Sequence, residues 1–389
     1  MRILQVHNNY LYAGGEDVVV ESEKHMLSAR GHEVQLFGKN NKEIEEYSAF
    51  QKLSLLWNTA GSDASYRETL KALQTFHPDI CHVHNFFPLI SPSVFRACDQ
   101  MHIPVVQTLH NYRLLCVNAY LFRDGHVCEE CVGKSTYHSL QYGCYHDSRI
   151  QSLAVAHMIE SNRSNGTWNG KVDAYICLSE FSRAKFIEGG LPPEKLFLKS
   201  NFVPTDPGFS VSSNGLPLFV GRLDEMKGIR VLLQASKLLP NVKFNVAGSG
   251  PFKEEVVSAS TIEYLGQLTR NEVLQQMKNA SMVVYPSVLY ETFGLTLIEA
   301  FACGKPVIAG RIGAVGDIVA DMKTGLLFEP GNSEDLASKL SWAISHPSEM
   351  GAMGRAARKT FEEHYTADAN YTTLMEIYAA ANEHRKRRK

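Results

Sequence analysis

Short apolar runs alternate with longer segments in which apolar residues recur every three to four positions, from one end of the chain to the other. Runs of four to eight such residues read as buried strands and the periodic segments as helices, which predicts α/β layers on mainly parallel sheets. In the first half, strands are expected at Ile3–His7, Glu33–Phe37, Asp79–His84, Val105–Leu109, Asp173–Leu178 and Leu196–Lys199, with a helix at Glu16–Arg30. A second series begins with strands Leu216–Gly221 and Val242–Ala247 and runs to about Phe328. Helices follow over Ser333–Ile344, Glu349–His364 and Ala367 to about Asn382. The turn-rich Val203-Pro204-Thr205-Asp206-Pro207-Gly208 is the candidate linker. Leu53-Ser54-Leu55-Leu56-Trp57 reads as a core helix, and its alternative is a membrane-touching patch near Lys52, Arg67 and Lys71.

Candidate chemistry collects where strands of the second series end. Met282-Val283-Val284-Tyr285-Pro286-Ser287 is a strand stopped by proline, and a helix starts near Gly294. Glu291 therefore lies in the loop and Glu299 about a turn inside the helix. Between them Phe293, Gly294 and Leu295 present backbone N–H groups at a helix N-terminus, where an anion is favoured. Acceptors for polyol hydroxyls beside an anion cradle suit a nucleotide-sugar better than a bare nucleotide. First-turn glutamates also serve merely to complement a helix dipole. Arg222 and Lys227 leave the carboxyl end of another strand. A third ends in Gly248-Ser249-Gly250-Pro251, whose glycines let backbone approach a ligand and whose proline begins the next helix. Ligands of open α/β sheets collect outside such strand ends.

The first half offers less specific signals. Gly14-Gly15 precede a helix and either reach a phosphate through their N–H groups or make a turn. His110 closes a strand and is either a hydrogen-bonding partner for a sugar hydroxyl or a loop residue held locally. His82 and His84 alternate onto one face, where packing is their expected role, and Asn85 and Arg113 are candidate acceptor contacts. Cys128-Glu129-Glu130-Cys131-Val132-Gly133 has the spacing of a knuckle that presents two thiolates to zinc. Cys116 and Cys144 flank it and would complete a structural Cys₄ site, with His126, His138 and His146 as substitutes and free thiols as the alternative. Cys81, Cys98, Cys177 and Cys303 lie in apolar contexts and read as core.

Gly221-Arg222-Leu223 through Lys227-Gly228, the Gly-Ser-Gly-Pro turn and Glu291 with Glu299 together resemble the retaining glycosyltransferases of family four. The resemblance spans nearly the whole chain and is strongest from Leu216 to Gly325. It implies the GT-B fold, with two Rossmann-like parallel-sheet domains facing a cleft. An acceptor-side domain would cover 1–205, with a cysteine-rich insert at about 116–144, and a donor-binding domain 206–365. The helix and basic tail of 366–389 would pack back on the first domain. By the same resemblance Glu299 accepts the ribose hydroxyls, Glu291 contacts the donor sugar and Ser249-Gly250-Pro251 lie near the base. Gly14 and Gly15 would lie at the cleft, and His110 matches a donor-site histidine. Arg222 and Lys227 are the candidates to neutralise a leaving pyrophosphate, since the chain has no Asp-X-Asp pair for magnesium and no cofactor is required on this reading.

Composition narrows the rest. The 389 residues are 44% hydrophobic and 21% charged, enough for two ordinary domains with their own cores. A net charge of −2 gives no case for nucleic acid. Basic residues concentrate in His384-Arg385-Lys386-Arg387-Arg388-Lys389, read as a frayed tail, the alternative being contact with anionic lipid. Neither a leader nor a membrane-spanning run is read, so the expected place is the cytoplasm, with peripheral contact at the inner membrane face as an option. The expected partners are a nucleotide-sugar and a glycan or lipid-linked acceptor. A sugar-nucleotide epimerase or hydrolase and a non-catalytic nucleotide-sugar scaffold are the competing classes. A dehydrogenase is disfavoured because the glycine turn lacks the third glycine of the dinucleotide fingerprint.

Overall fold

The computed structural model describes residues 1–11, 14–210 and 215–388. The chain divides into two compact units. Unit 1 comprises residues 1–121, 128–200 and 370–389, and unit 2 comprises 122–127 and 201–369. Of the basic tail, Lys389 lies outside the described residues.

Unit 1 is built on six parallel strands: β1 (Arg2–Asn9), β2 (Glu33–Asn40), β3 (Ile80–Asn85), β4 (Val105–Thr108), and, after the two-residue hairpin strands β5 (Phe122–Arg123) and β6 (His126–Val127) of unit 2, β7 (Ala174–Cys177) and β8 (Leu196–Leu198). Their order is β2-β1-β3-β4-β7-β8. Strand β1 sits inside the sheet, with Ile3 opposite Ile80 and Leu4 opposite Gln35. It is buried on both faces, which is why its sequence is a run rather than an alternation. The first helix, Gly15–Ala29, buries Val19, Val20, Met26 and Leu27.

Unit 2 repeats the plan with β9 (Leu218–Val220), β10 (Phe244–Ala247), β11 (Ile262–Gly266), β12 (Val283–Tyr285), β13 (Val307–Gly310) and β14 (Gly325–Phe328), in the order β11-β10-β9-β12-β13-β14. Its core joins Phe219, Val246, Val284, Ile308 and Phe328 to Leu232 and Leu336 from the covering helices.

Several expectations change. The helix Ala49–Asn58 is not a core helix: Phe50, Leu53 and Trp57 are 79, 55 and 70% exposed and no residue in it is buried. Its 3.6-residue apolar period is real, but of its apolar residues only Leu55 and Leu56 are half-buried, and Phe50, Leu53 and Trp57 are left exposed. The linker candidate is tied down in unit 2, where the Val203 N–H donates to the Tyr365 carbonyl at 3.0 Å and Arg358 pairs with Asp206. Neither is the tail frayed. The helix runs over Ala367–Arg387, His384 Nδ1 lies 2.8 Å from the Asp173 carbonyl, and Arg385 and Arg388 pair with Asp99 at 2.8 Å. The buried Asp173 and the partly exposed Asp99 of unit 1 hold His384, Arg385 and Arg388 there. Pro251 lies in a turn, and the helix after it begins at Lys253.

Candidate active site

In unit 2 the polar groups stand at the carboxyl ends of β9, β10 and β12. Beyond β9 the Leu223 N–H donates to the Ser249 carbonyl at 2.9 Å, and the Phe252 N–H donates to the Leu223 carbonyl at 3.1 Å. The turns after β9 and β10 are thereby bonded to one another. Gly248 and Gly250 have φ of 142° and 157°, and a Cβ on either would run into the backbone of Gly221 or Leu223. Only glycine permits both that backbone region and that approach. The Ser249 hydroxyl donates to Gln267 Oε1 at 3.4 Å, and Pro251 follows in the turn.

Lys227 and Glu291 meet. The ammonium donates to Glu291 Oε1, which also accepts from the hydroxyls of Tyr285 at 2.9 Å and Ser287 at 3.1 Å. Burial pushes the Glu291 carboxyl up, but the Lys227 charge and these three donors outweigh it and hold it below its ordinary value. It is a carboxylate fixed in place, with one oxygen saturated. Lys227 is aimed by its own backbone, whose N–H donates to Asp224 Oδ1 at 2.9 Å. The same aspartate holds Arg222 at 3.1 Å, and that guanidinium is 56% exposed.

Phe293 is buried, with its ring 6.1 Å from that of Tyr365, so its side chain packs and only its backbone is open to the assigned role. Gly294 caps the helix Leu295–Ala302 in an extended conformation. One turn in, Glu299 pairs with Arg270 at 3.1 Å. Burial raises its carboxyl above the ordinary value, against the pull of Arg270. Arg270, Tyr285 and Ser287 were not singled out from sequence. Tyr285 and Ser287 do stand out as hydroxyls in an otherwise apolar run. Arg270 gives no local signal, because its partner is 29 residues away.

Unit 1 holds a second, buried polar cluster. Gly14 caps the helix that Gly15 opens, and its N–H donates to Asp17 Oδ2 at 2.7 Å. That donor therefore serves the helix cap. Glu23, on the same helix, is wholly buried and its Oε1 lies 2.9 Å from His82 Nδ1 and 3.3 Å from His84 Nε2. His84 Nδ1 lies 3.0 Å from His110 Nε2. His82 and His84 thus belong to an ionic cluster rather than to apolar packing. Among the described residues, Glu23, His82 and His84 form the one set of three metal-type ligands whose atoms lie within 4.8 Å of one another. Lys199 Nζ stands 3.3 Å from Glu23 Oε2 and supplies the positive charge, while the two His82 nitrogens lie 2.8 Å from Tyr378 and Thr108 hydroxyls. That site is filled by protein.

The four cysteines of the insert are neighbours. Burial pushes the Cys131 thiol up to about 12, aided by the charges of Cys116, Cys144 and Cys128. No three of their sulfurs lie within 4.8 Å of one another, so a tetrahedral ion would have to draw them in. Cys81, Cys98, Cys177 and Cys303 are buried. Asn85 and Arg113 are occupied locally: Asn85 Nδ2 donates to the Asn8 carbonyl at 2.8 Å, and the Arg113 guanidinium lies 4.4 Å from the Phe87 ring centre.

Residues 13–207 match the family model glycosyltransferase family 4, and residues 211–360 match glycosyl transferases group 1. The chain belongs to this glycosyltransferase family. Among curated relatives, the sulfoquinovosyl transferase of Arabidopsis thaliana is 33% identical over 43% of this chain and 35% of its own length. An uncharacterized glycosyltransferase of Methanocaldococcus jannaschii is 31% identical over 53% of this chain and 59% of its own. Matches thus span about a third to three fifths of those relatives. Among solved structures, Anabaena HepE in complex with UDP-glucose superposes with a TM-score of 0.68 at 18% identity, over 97% of this chain and 100% of that one. Sucrose-phosphate synthase from Thermosynechococcus elongatus does so at 0.73 and 18%, over 97 and 98%. The fold is GT-B, with a Rossmann-like sheet in each unit.

Proposed function

We propose that this chain is a retaining glycosyltransferase that moves a sugar from a nucleoside-diphosphate sugar to a glycan or lipid-linked acceptor in cell-surface polysaccharide assembly. The observation that carries the reading is the Lys227–Glu291 pair, gathered with Tyr285 and Ser287 beside the bonded turns after β9 and β10. Structures of Anabaena HepE, which share this fold, hold UDP or UDP-glucose and support a nucleotide-sugar donor. In the reaction the bond from the anomeric carbon to the diphosphate oxygen breaks and one to the acceptor oxygen forms on the same face. The acceptor proton passes to the leaving phosphate. Arg222 and Lys227 stabilise the charge that develops there, without metal, as a bidentate clamp and a point charge respectively. Gly294 and Leu295 add backbone donors, Glu299 takes the ribose, and Glu291, already ionised and oriented, takes a donor-sugar hydroxyl. Zinc is assigned to Cys116, Cys128, Cys131 and Cys144 as a structural ion only, and the exposed helix Ala49–Asn58 as the contact with a membrane that carries the acceptor.

Thermal unfolding against a panel of nucleotide-sugars and free nucleotides, with and without a zinc chelator, tests this. A melting shift with one nucleotide-sugar that is lost in Glu299→Ala is expected; no shift with any of them sinks the donor assignment. Chelation should lower the melting temperature, and indifference to it returns the cysteines to plain thiols.

A further inference from the structure

Of the two glutamates near the strand ends of unit 2, only one is secured several times over. Glu291 is met by Lys227 and by the hydroxyls of Tyr285 and Ser287, and its carboxyl lies below its ordinary value. Glu299 has a single charged partner among the described residues, Arg270, whose Nη2 lies 3.1 Å from Oε1. The Glu299 side chain is 14% exposed, and burial raises its carboxyl above the ordinary value. Among the described residues Arg270 is the one group that draws it back, and it does so only in part. The charge on Glu299 therefore hangs on one residue.

The place of Arg270 needs a reason of its own. It opens the helix Arg270–Asn279, in the turn where the helix dipole disfavours a cation. The cap is made without it: Thr269 and Glu272 bond reciprocally, and the Glu272 carboxylate accepts the Thr269 N–H at 2.7 Å. Arg270 instead reaches across to the helix Leu295–Ala302, where its one ion pair is with Glu299. A carboxylate has about four acceptor sites, so a guanidinium at Oε1 leaves others for hydroxyls. The remaining ionisable groups about that helix are held elsewhere or stay uncharged. Burial pushes the Cys303 thiol up to about 12 and the Lys305 ammonium below its ordinary value. Lys278 donates to the Pro207 carbonyl at 3.2 Å, Arg358 pairs with Asp206 and Glu362, and the Tyr285 hydroxyl donates to Glu291. None of these is among the groups that shift the Glu299 carboxyl.

We propose that Arg270 is a positioning residue for the ribose of the donor: its guanidinium holds the Glu299 side chain in place and keeps it a carboxylate, ready to accept from ribose hydroxyls. This rests on the reading of Glu299 as the ribose acceptor. The sign of the effect follows. A protonated Glu299 offers fewer acceptors, so donor affinity falls as pH drops through the value at which this group takes up its proton. Removing Arg270 leaves burial unopposed, moves that value further up, and brings the loss of affinity to higher pH.

The test is calorimetric titration of the full chain at pH 6 and pH 8 with UDP-glucose, or with whichever nucleotide-sugar of the panel shifts the melting temperature, and with its 2′-deoxyribose analogue. A nucleotide-sugar diphosphate diester does not itself titrate in that range. Arg270→Met should weaken binding about tenfold more at pH 6 than at pH 8, the factor that a shift of one pKa unit gives. Its preference for ribose over 2′-deoxyribose should shrink towards that of Glu299→Ala. Arg270→Lys, which keeps the charge, should recover most of the loss at pH 6, and Arg270→Gln stands in where Arg270→Met does not fold. A folded neutral variant that binds like the wild type at both pH values overturns the proposal. So does one weakened equally at both with its ribose preference intact, which is the mark of a merely structural residue. Failure of the donor reading shows separately, as a wild-type chain that binds no nucleotide-sugar or a Glu299→Ala chain that binds like the wild type, and the inference then falls with it.

Discussion

Glu16 stands in the first turn of the helix Gly15–Ala29, and its Oε2 accepts from the Tyr10 hydroxyl at 3.0 Å. Burial drives its carboxyl from 4.5 up to about 8, against the Tyr10 hydrogen bond. The folded chain therefore holds a proton between pH 4.5 and 8 that the unfolded chain has lost. Stability contributed by this group is present below 4.5 and falls as pH rises through that window, by at most about 1.4 kcal/mol per pH unit. Glu16→Gln should melt with the wild type near pH 4.5 and above it at pH 8.5; equal differences at both pH values would contradict the burial argument. Glu291 has the opposite sign, since its lowered carboxyl contributes stability that is lost only as pH falls below its ordinary range. Legibility at this scale tracks sequence distance. Glu291 and Glu299 stand out because one loop and one helix turn separate them. The Glu23–His84 contact joins residues 61 apart and leaves no trace in either neighbourhood.

Among the elements, the helix Ala49–Asn58 carries the clearest consequence. Phe50, Leu53 and Trp57 share one face at spacings of three and four and are exposed together. Replacing all three by serine should leave the melting temperature nearly unchanged, because surface changes outside a core stay within about 0.5 kcal/mol. Co-sedimentation with vesicles of mixed neutral and anionic phospholipid should then drop at least several-fold. Equal sedimentation of variant and wild type would remove the helix as the membrane contact. Periodicity identified this segment as helical and amphipathic but is blind to what lies against the face. The strands were easier to read. The buried parallel strands β1, β3, β4 and β7 appear as apolar runs within a residue or two of their ends. The run through Ser287 shortens to β12 at Tyr285 because Pro286 has no N–H to give the sheet.

At the scale of the molecule, unit 1 is assembled from both ends of the chain. Leu374, Ile377, Tyr378 and Ala381 are buried there, and the Tyr378 hydroxyl reaches His82. Burial of Leu374 and Ile377 alone stabilises by roughly 1.5–3 kcal/mol each, against a domain's whole margin of about 5–15 kcal/mol. Removing residues 367–389 should abolish the cooperative melting of unit 1, and a truncated chain that melts like the full one would show the helix to be dispensable. The parallel-sheet plan of both units follows from the alternation of strands and helices. The anchoring of the tail does not, because Arg385 and Arg388 look like any solvated basic terminus until Asp99 and Asp173 are placed beneath them.

The helix that completes unit 1 also sets a timetable. A ribosome releases all six strands of the first sheet, and then the whole of residues 201–369, before it makes the segment carrying Asn370 and Tyr378. Throughout that interval Lys199 lacks its Asn370 partner, and the nascent sheet shows water and chaperones the surface that the helix later covers. Both segments of unit 2, 122–127 and 201–369, are made before that helix, so unit 2 can close first, and the order of synthesis and the order of completion are reversed in this chain. Moving residues 367–389 ahead of Met1 by circular permutation would shorten the wait to nothing, and the yield of folded protein from translation would report how much the wait costs.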